Sequence, residues 1–162
     1  MISRDRVVEL LKFDEQTGEF TRRVQNGSAR AGAPAGYVSD NGYLIISVDG
    51  VEYFAHNLAW LIVKGEWPPS GFEIDHKNRI RLDNRPDNHR LATRAQNCAN
   101  ATLRKDNSTG ERGVYFSRHR RKYVVQITVS GKTKTLGGFD TVAEAAVVAR
   151  DARAQVWGDF AL

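Results

Sequence analysis

Two Thr-x-x-Glu/Gln sequences, Thr93 to Gln96 and Thr141 to Glu144, constrain the fold of this chain more than any other feature. In each, the threonine hydroxyl can accept a backbone N–H three residues on while the Gln or Glu side chain reaches back, so each marks the start of a helix. What precedes each helix is short and extended. Phe72-Glu73-Ile74 enters Asp75-His76, and a second strand lies near His89 to Ala92, ahead of a helix from Thr93 to about Leu103. Stretches at about Gly113–Ser117, Lys122–Val129 and Lys132–Leu136, the last two joined by Ser130-Gly131, come before the helix opened by Thr141. That helix carries Val142, Ala145, Ala146, Ala149, Ala152 and Val156 on one face, small enough to lie close on a three-stranded antiparallel sheet. Strand alternation turns Tyr123, Val125, Ile127 and Val129 toward it and Val124, Gln126 and Thr128 away.

The rest of the chain follows the same scale. Ser3 caps a first helix bearing Val7, Val8, Leu10 and Leu11 that ends before Thr17-Gly18, and Glu19–Arg22 is a strand. Tyr43–Val48 meets Val51–Phe54 across Asp49-Gly50, a dipeptide suited to a primed hairpin turn. Gln25 to Pro34, Gly/Ala-rich with Arg30, reads as a mobile loop, either one that lies along a partner's groove or a plain connection. A helix from about Ala55 to Lys64 packs Leu58, Leu61 and Ile62 inward, with Trp60 or Trp67 closing the core. Arg104 to Gly110 has the polar composition of a linker. The 162 residues thus make an α+β chain of two modest units, 1–105 and 106–162.

Chemistry concentrates in the first unit. Asp75, His76, Asn88 and Asn97 place a carboxylate, an imidazole and amides within two dozen residues. A neutral imidazole can take a proton from water near pH 7. Carboxylate and amide oxygens suit Mg²⁺ or Mn²⁺ better than zinc. An isolated Asp-His pair is more often a surface turn, and an Asn at a helix start is usually a cap. The ordered series changes that balance.

Ala55-His56-Asn57-Leu58-Ala59-Trp60, Gly65-Glu66-Trp67-Pro68, Ile74-Asp75-His76, Leu82-Asp83-Asn84-Arg85, Asn88 to Thr93 and Gln96-Asn97 together resemble the HNH endonucleases with the ββα-metal motif, in the His-Asn-Asn variant of phage and homing enzymes. The resemblance spans roughly Ile2 to Asn100. It implies metal-dependent nicking or cutting of DNA, with His76 as general base, Asp75 and Asn97 holding one Mg²⁺ or Mn²⁺ ion, and Asn88 bracing the loop that orients His76. Relatives often carry Gly-Asp where this chain has Arg79-Ile80, and an apolar residue where it has His89. His56 could stack on or hydrogen-bond near the site, but a His opening the apolar stretch Leu58 to Val63 is more often structural or capping and is read so; His89 and His119 receive no catalytic role.

In the second unit, Arg112-Gly113-Val114, Lys122-Tyr123, Gln126-Ile127, Leu136 to Thr141, Glu144-Ala145-Ala146 and Phe160-Ala161 resemble the ethylene-response-factor type of DNA-binding domain, which lays its sheet in the major groove. The charge agrees: Arg104 to Lys134 holds nine basic and two acidic side chains, a net +7 against +5 for the whole chain. Neutralising phosphates with such a cluster releases counterions and makes binding salt-dependent. The candidate DNA contacts are Arg112, Tyr115, Ser117, Arg118, Arg120, Arg121, Lys122, Gln126, Thr128, Thr133 and Thr135. Thr and Ser discriminate bases less sharply than Arg or Lys, so this unit is expected to supply affinity and register rather than strict sequence choice. A single Cys98 excludes an intramolecular disulfide or a multi-Cys zinc site. The start of the chain lacks an apolar signal core, which predicts a cytoplasmic protein whose partner is duplex DNA, with no membrane and no obligatory protein partner. The alternatives are a DNA-binding regulator on a degenerate scaffold and, more weakly, an RNA-cleaving or structure-specific nuclease.

Overall fold

The computed structural model describes every residue except Asn26, Ser28, Arg104 and Leu162. The chain divides into two compact units, Met1–Thr93 and Arg94–Leu162. In the first, Ser3 caps α1 (Arg4–Leu10), its hydroxyl accepting the Arg6 N–H at 3.2 Å. Leu11, expected on that helix, instead opens β1 (Leu11–Phe13), which pairs antiparallel with β2 (Phe20–Arg22). The strand buries Leu11 as fully as a helix would have, and the ladder satisfies the backbone groups. β3 (Tyr37–Val38), not anticipated, joins β4 (Leu44–Val48), which pairs with β5 (Val51–Phe54). Asp49 and Gly50 between them have φ of 51° and 77°, both positive as a primed turn demands. The expected loop after Gln25 is tied back at its end, Arg22 donating to the Ala33 carbonyl and Gly32 to the Arg22 carbonyl; Asn26 and Ser28 within it lie outside the described residues.

α2 (Ala55–Lys64) buries Ala55, Leu58, Ala59 and Leu61 against Val7, Leu11, Phe20, Ile46 and Val48. Ile62 is only half-buried. Trp67 closes this core, donating its indole N–H to the Ile2 carbonyl at 3.1 Å. Beyond it, β6 (Phe72–His76) pairs antiparallel with β7 (His89–Thr93), in a register that sets Asp75 opposite Arg90 and His76 opposite His89. A 3-10 turn, Pro86–Asn88, leads into β7.

The second unit holds α3 (Arg94–Asn100), β8 (Val114–Ser117), β9 (Lys122–Val129), β10 (Lys132–Phe139) and α4 (Val142–Trp157). α3 stops short of the expected Leu103. Its place in this unit, earlier than the expected boundary at 105, follows from bonds that Arg112 and Arg153 make to its carbonyls. The segment read as a linker is a bonded turn: the Asn107 side chain accepts from Thr109 and Gly110 and donates to the Glu111 carbonyl. Arg104 lies outside the described residues.

The sheet runs β10-β9-β8, all antiparallel, with Val114 and Val125 packed on Ala145 and Ala149 of α4. Thr141 and Glu144 form the expected capping box. Two expectations need correction. Val156 is exposed and Arg153 is buried in the stripe, since 145, 149 and 153 share a face at intervals of four. Val124 is buried at 1% while Val129 is exposed at 38%: Val124 sits mid-sheet between Tyr115 and Gly138, and Val129 at the strand end beside the turn. No helix among the described residues is long and apolar enough to cross a membrane.

Candidate active site and nucleic-acid surface

The β6–β7 ribbon brings polar side chains to its inner end. Alternation along β6 would leave one of two neighbours facing solvent, yet Asp75 and His76 are both 5% exposed. Each has its own covering. Across the ladder from Asp75, Arg90 donates Nε to its Oδ2 at 2.8 Å, an ion pair with little solvent access. On the other side the His76 ring meets two more imidazoles edge-on, His56 and His89, each with centroids 5.1 Å away and planes near perpendicular. Tyr43 completes the wall at 5.4 Å from His56 and 6.1 Å from His76, and Phe54 stacks on His56 at 5.2 Å. Arg81 lies over the Tyr43 ring at 4.8 Å and donates to the Asn41 carbonyl.

Three imidazoles so close cannot all carry charge. Burial pushes His56 down to about 3, with repulsion from His76 and His89 adding to it. His89 is lowered to about 4 by burial and then by His76. His76 is also lowered, mainly by burial, although the Asn84 amide and the carboxylates of Asp75 and Asp83 oppose this. The result is a neutral imidazole at pH 7, the form that accepts a proton. Among the described residues no three His, Cys, Asp or Glu side chains converge as ligands of one ion. The three rings pack edge to edge as one cluster.

The loop after His76 is braced at several points. Asn88 accepts the Asn78 N–H on its side-chain oxygen at 3.0 Å and donates to the Asp83 carbonyl at 2.9 Å, while its own carbonyl accepts from Lys77. Asp83 accepts from Nε and Nη2 of Arg85 and from the Asn78 amide, which together hold its carboxyl well below the usual range. From the N-terminal hairpin, Gly18 backs onto the Asn84–Arg85 backbone so closely that a Cβ there would lie 2.7 Å from the Arg85 nitrogen. Asn97, the remaining candidate, lies in the first turn of α3, half-buried, in the second unit. His56, which the sequence allowed to stack near the site, does pack on His76, whereas the contacts of His89 and Tyr43 with His76 were missed. The β6–β7 register held the signal for His89, since antiparallel pairing from Asp75 with Arg90 puts His76 opposite it.

In the second unit the register gathers Tyr115, Ser117, Lys122, Gln126, Thr128, Thr133 and Thr135 on the sheet face away from α4. The polar pairs hold one another: Gln126 donates to Thr135 at 3.2 Å, and the hydroxyls of Thr128 and Thr133 are 2.8 Å apart. Arg118, Arg120 and Arg121 are exposed on the β8–β9 turn, with Lys132 and Lys134 exposed on β10. Two of the candidates are engaged otherwise. Lys122 pairs with Asp140 at 2.7 Å, and Arg112 donates to the Cys98 and Ala101 carbonyls.

Compared with known proteins, residues 53–99 match the family model described as HNH endonuclease. Protein 3.8 of Escherichia phage T7 is 30% identical over 106 residues, which is 65% of this chain and 86% of that protein. A solved structure described as DNA binding and cleavage by the HNH homing endonuclease I-HmuI aligns at a TM-score of 0.41 and 18% identity, covering 78% of this chain and 71% of its own.

Proposed function

The chain belongs to the HNH endonuclease family, and on that premise we propose that it is a divalent-metal-dependent DNA endonuclease of phage or homing type whose C-terminal sheet binds duplex DNA. The observation that carries the reading is the His76 imidazole, kept neutral by burial at a strand end and flanked in sequence by a carboxylate that is itself held by Arg90. His76 takes the proton from a water whose oxygen attacks phosphorus in line. The bond to the 3′ oxygen breaks, that oxygen takes a proton from solvent, and the products are a 5′-phosphate and a 3′-hydroxyl. Asp75 and Asn97 would hold one Mg²⁺ or Mn²⁺ ion, whose charge offsets that building on the scissile phosphate and the leaving oxygen. Asn88 keeps the loop after His76 in one shape. The polar outer sheet face and the arginines of the β8–β9 turn support the duplex-binding part, with Arg118, Arg120 and Arg121 meeting phosphates.

Supercoiled plasmid incubated with the protein and Mg²⁺ is expected to be nicked or linearised, and His76→Ala to abolish this while DNA affinity persists. Undiminished cutting by the variant rejects the assignment of the base. The second reading, a non-catalytic DNA-binding regulator, draws on the Arg90–Asp75 ion pair, which engages one carboxylate oxygen. It predicts intact DNA with and without Mg²⁺ at protein concentrations that saturate binding.

A further inference from the structure

We propose that Ile80, at the tip of the loop after His76, is a wedge that enters the base stack of a bound duplex within about four steps of the cut and opens it. The proposal rests on the endonuclease reading above and says how that same site deforms its substrate. Residues 77–85 carry four basic side chains, Lys77, Arg79, Arg81 and Arg85, against one acidic, Asp83. Arg85 and Asp83 pair with each other, which leaves the charge of the loop to Lys77, Arg79 and Arg81, all exposed. Between Arg79 and Arg81 stands Ile80, 58% exposed, with Leu82, 49% exposed, two residues on. Phosphates match the cations, and the faces of an opened base step match the aliphatic tip, so one partner, a duplex, answers both.

The loop is built to hold that tip out. The Arg79 N–H donates to the His76 carbonyl at 3.0 Å and the Asp83 N–H to the Ile80 carbonyl at 3.0 Å, making two successive tight turns. The Asn78 side chain joins them, accepting the Ile80 N–H at 2.8 Å and donating to Asp83 at 2.7 Å. Arg79, at φ 64°, reverses the chain just before the tip, and Arg81 lies over the Tyr43 ring and donates to the Asn41 carbonyl. A loose loop would fold its aliphatic side chains back onto the protein; this one keeps them in solvent and loses little freedom when it binds. An apolar side chain driven between base pairs unstacks them and kinks the duplex, and the cost is offset by the contacts that the bent DNA then makes. Because the first turn closes on the carbonyl of His76, the tip stays with the proton acceptor. Four residues of chain reach at most ~14 Å, the rise of about four base-pair steps. Pyrimidine–purine steps open most easily, so the wedge also biases where the chain cuts.

The full chain is first given supercoiled plasmid with Mg²⁺, and its strongest cut is mapped by primer extension. A duplex centred on that cut then carries 2-aminopurine, whose fluorescence rises on unstacking, at each purine within about four steps on either side, and protein is added in EDTA. The parent is expected to raise the fluorescence at one step. Ile80→Ser, its fold checked by an unchanged urea midpoint, is expected to lose that rise and to cut about tenfold more slowly, and Ile80→Leu to keep both. A mismatch at the same step, already open, should bring cutting by Ile80→Ser to within about twofold of the parent on that duplex. A loop merely misshapen by the substitution would not be rescued by a change in the DNA. A parent that binds without a rise at any of these steps overturns the wedge, as does a rise that survives in Ile80→Ser. Slow cutting that the mismatch does not restore assigns Ile80 to the shape of the loop and also overturns it. If Ile80→Ser instead turns a self-associating parent into a monomer with the fluorescence unchanged, the tip is a contact between copies and the wedge is rejected. Plasmid left uncut by the parent is a separate failure: it rejects the endonuclease reading, and the proposal goes with it.

Discussion

Acidification from about pH 7.5 to about 5.5 is expected to remove roughly 3 kcal/mol from the stability of the first unit, through His56 and His89. In the unfolded chain each titrates near 6.5, whereas in the fold they are lowered to about 3 and about 4. The folded values lie below the unfolded ones, so the stability is present above pH ~6.5 and falls as the unfolded state takes up protons that the fold refuses, the loss being complete only at the folded values. At pH ~5.5 an imidazole of pKa ~6.5 is about nine-tenths protonated, which stabilises the unfolded state by about 1.4 kcal/mol per histidine. His76 is lowered too and adds in the same direction. Ordinary carboxylates titrate well below this interval, so the window reports on imidazoles. Urea midpoints at the two pH values, read by fluorescence in a Trp157→Phe background so that Trp60 and Trp67 report the first unit, measure the change. His56→Leu should shrink it by about 1.4 kcal/mol, close to half. A wild-type loss under about 1 kcal/mol, or a parallel loss in the variant, refutes the reasoning.

Two local substitutions test the frame of the site. Gly18 has φ 77° and no room for a Cβ against the Arg85 nitrogen. Gly18→Ala should therefore cost about 2 kcal/mol or more, and a urea midpoint shift equivalent to under about 0.5 kcal/mol would show that the hairpin does not press on the loop. Arg79 adopts φ 64°, a conformation costing an L residue about 1–2 kcal/mol against the roughly 0.5–1 kcal/mol of chain entropy that glycine adds. Against that backbone gain stands the loss of the interactions Arg79 makes, so Arg79→Gly should change stability by less than about 1 kcal/mol in either direction, and a larger shift in the urea midpoint refutes that balance.

What the sequence announced were features set by neighbours in the chain. The Asp49-Gly50 turn, the start of α4 at Thr141 and the ribbon entering His76 each depend on a few adjacent residues, and each is where the residues placed it. What escaped were effects of distant partners. Leu11 went to a strand because Arg22 was available to pair with it. Arg153 displaced Val156 from the inner stripe, its charge tolerated because the Ala99 carbonyl receives it. The turn after Asp106 looked like a linker because its residues are polar, but Asn107 spends that polarity on backbone groups within the turn.

The same distinction explains the site. Asp75 and His76 stand out in the sequence as chemistry, but not as buried neighbours on opposite faces of a two-stranded ribbon. Burying both carries a desolvation cost that a solvated turn would avoid. On one face that cost is offset by an ion pair with the residue directly across the ladder. On the other it is avoided by never charging the ring, which burial lowers, and the two further imidazoles packed against it are themselves lowered by burial. A proton acceptor has to be neutral before it acts, and an apolar wall alone would secure that through burial. Histidines in the wall meet the same condition, because His56 and His89 are held lower, at about 3 and about 4, partly by His76 itself, and so face it as uncharged rings at neutral pH.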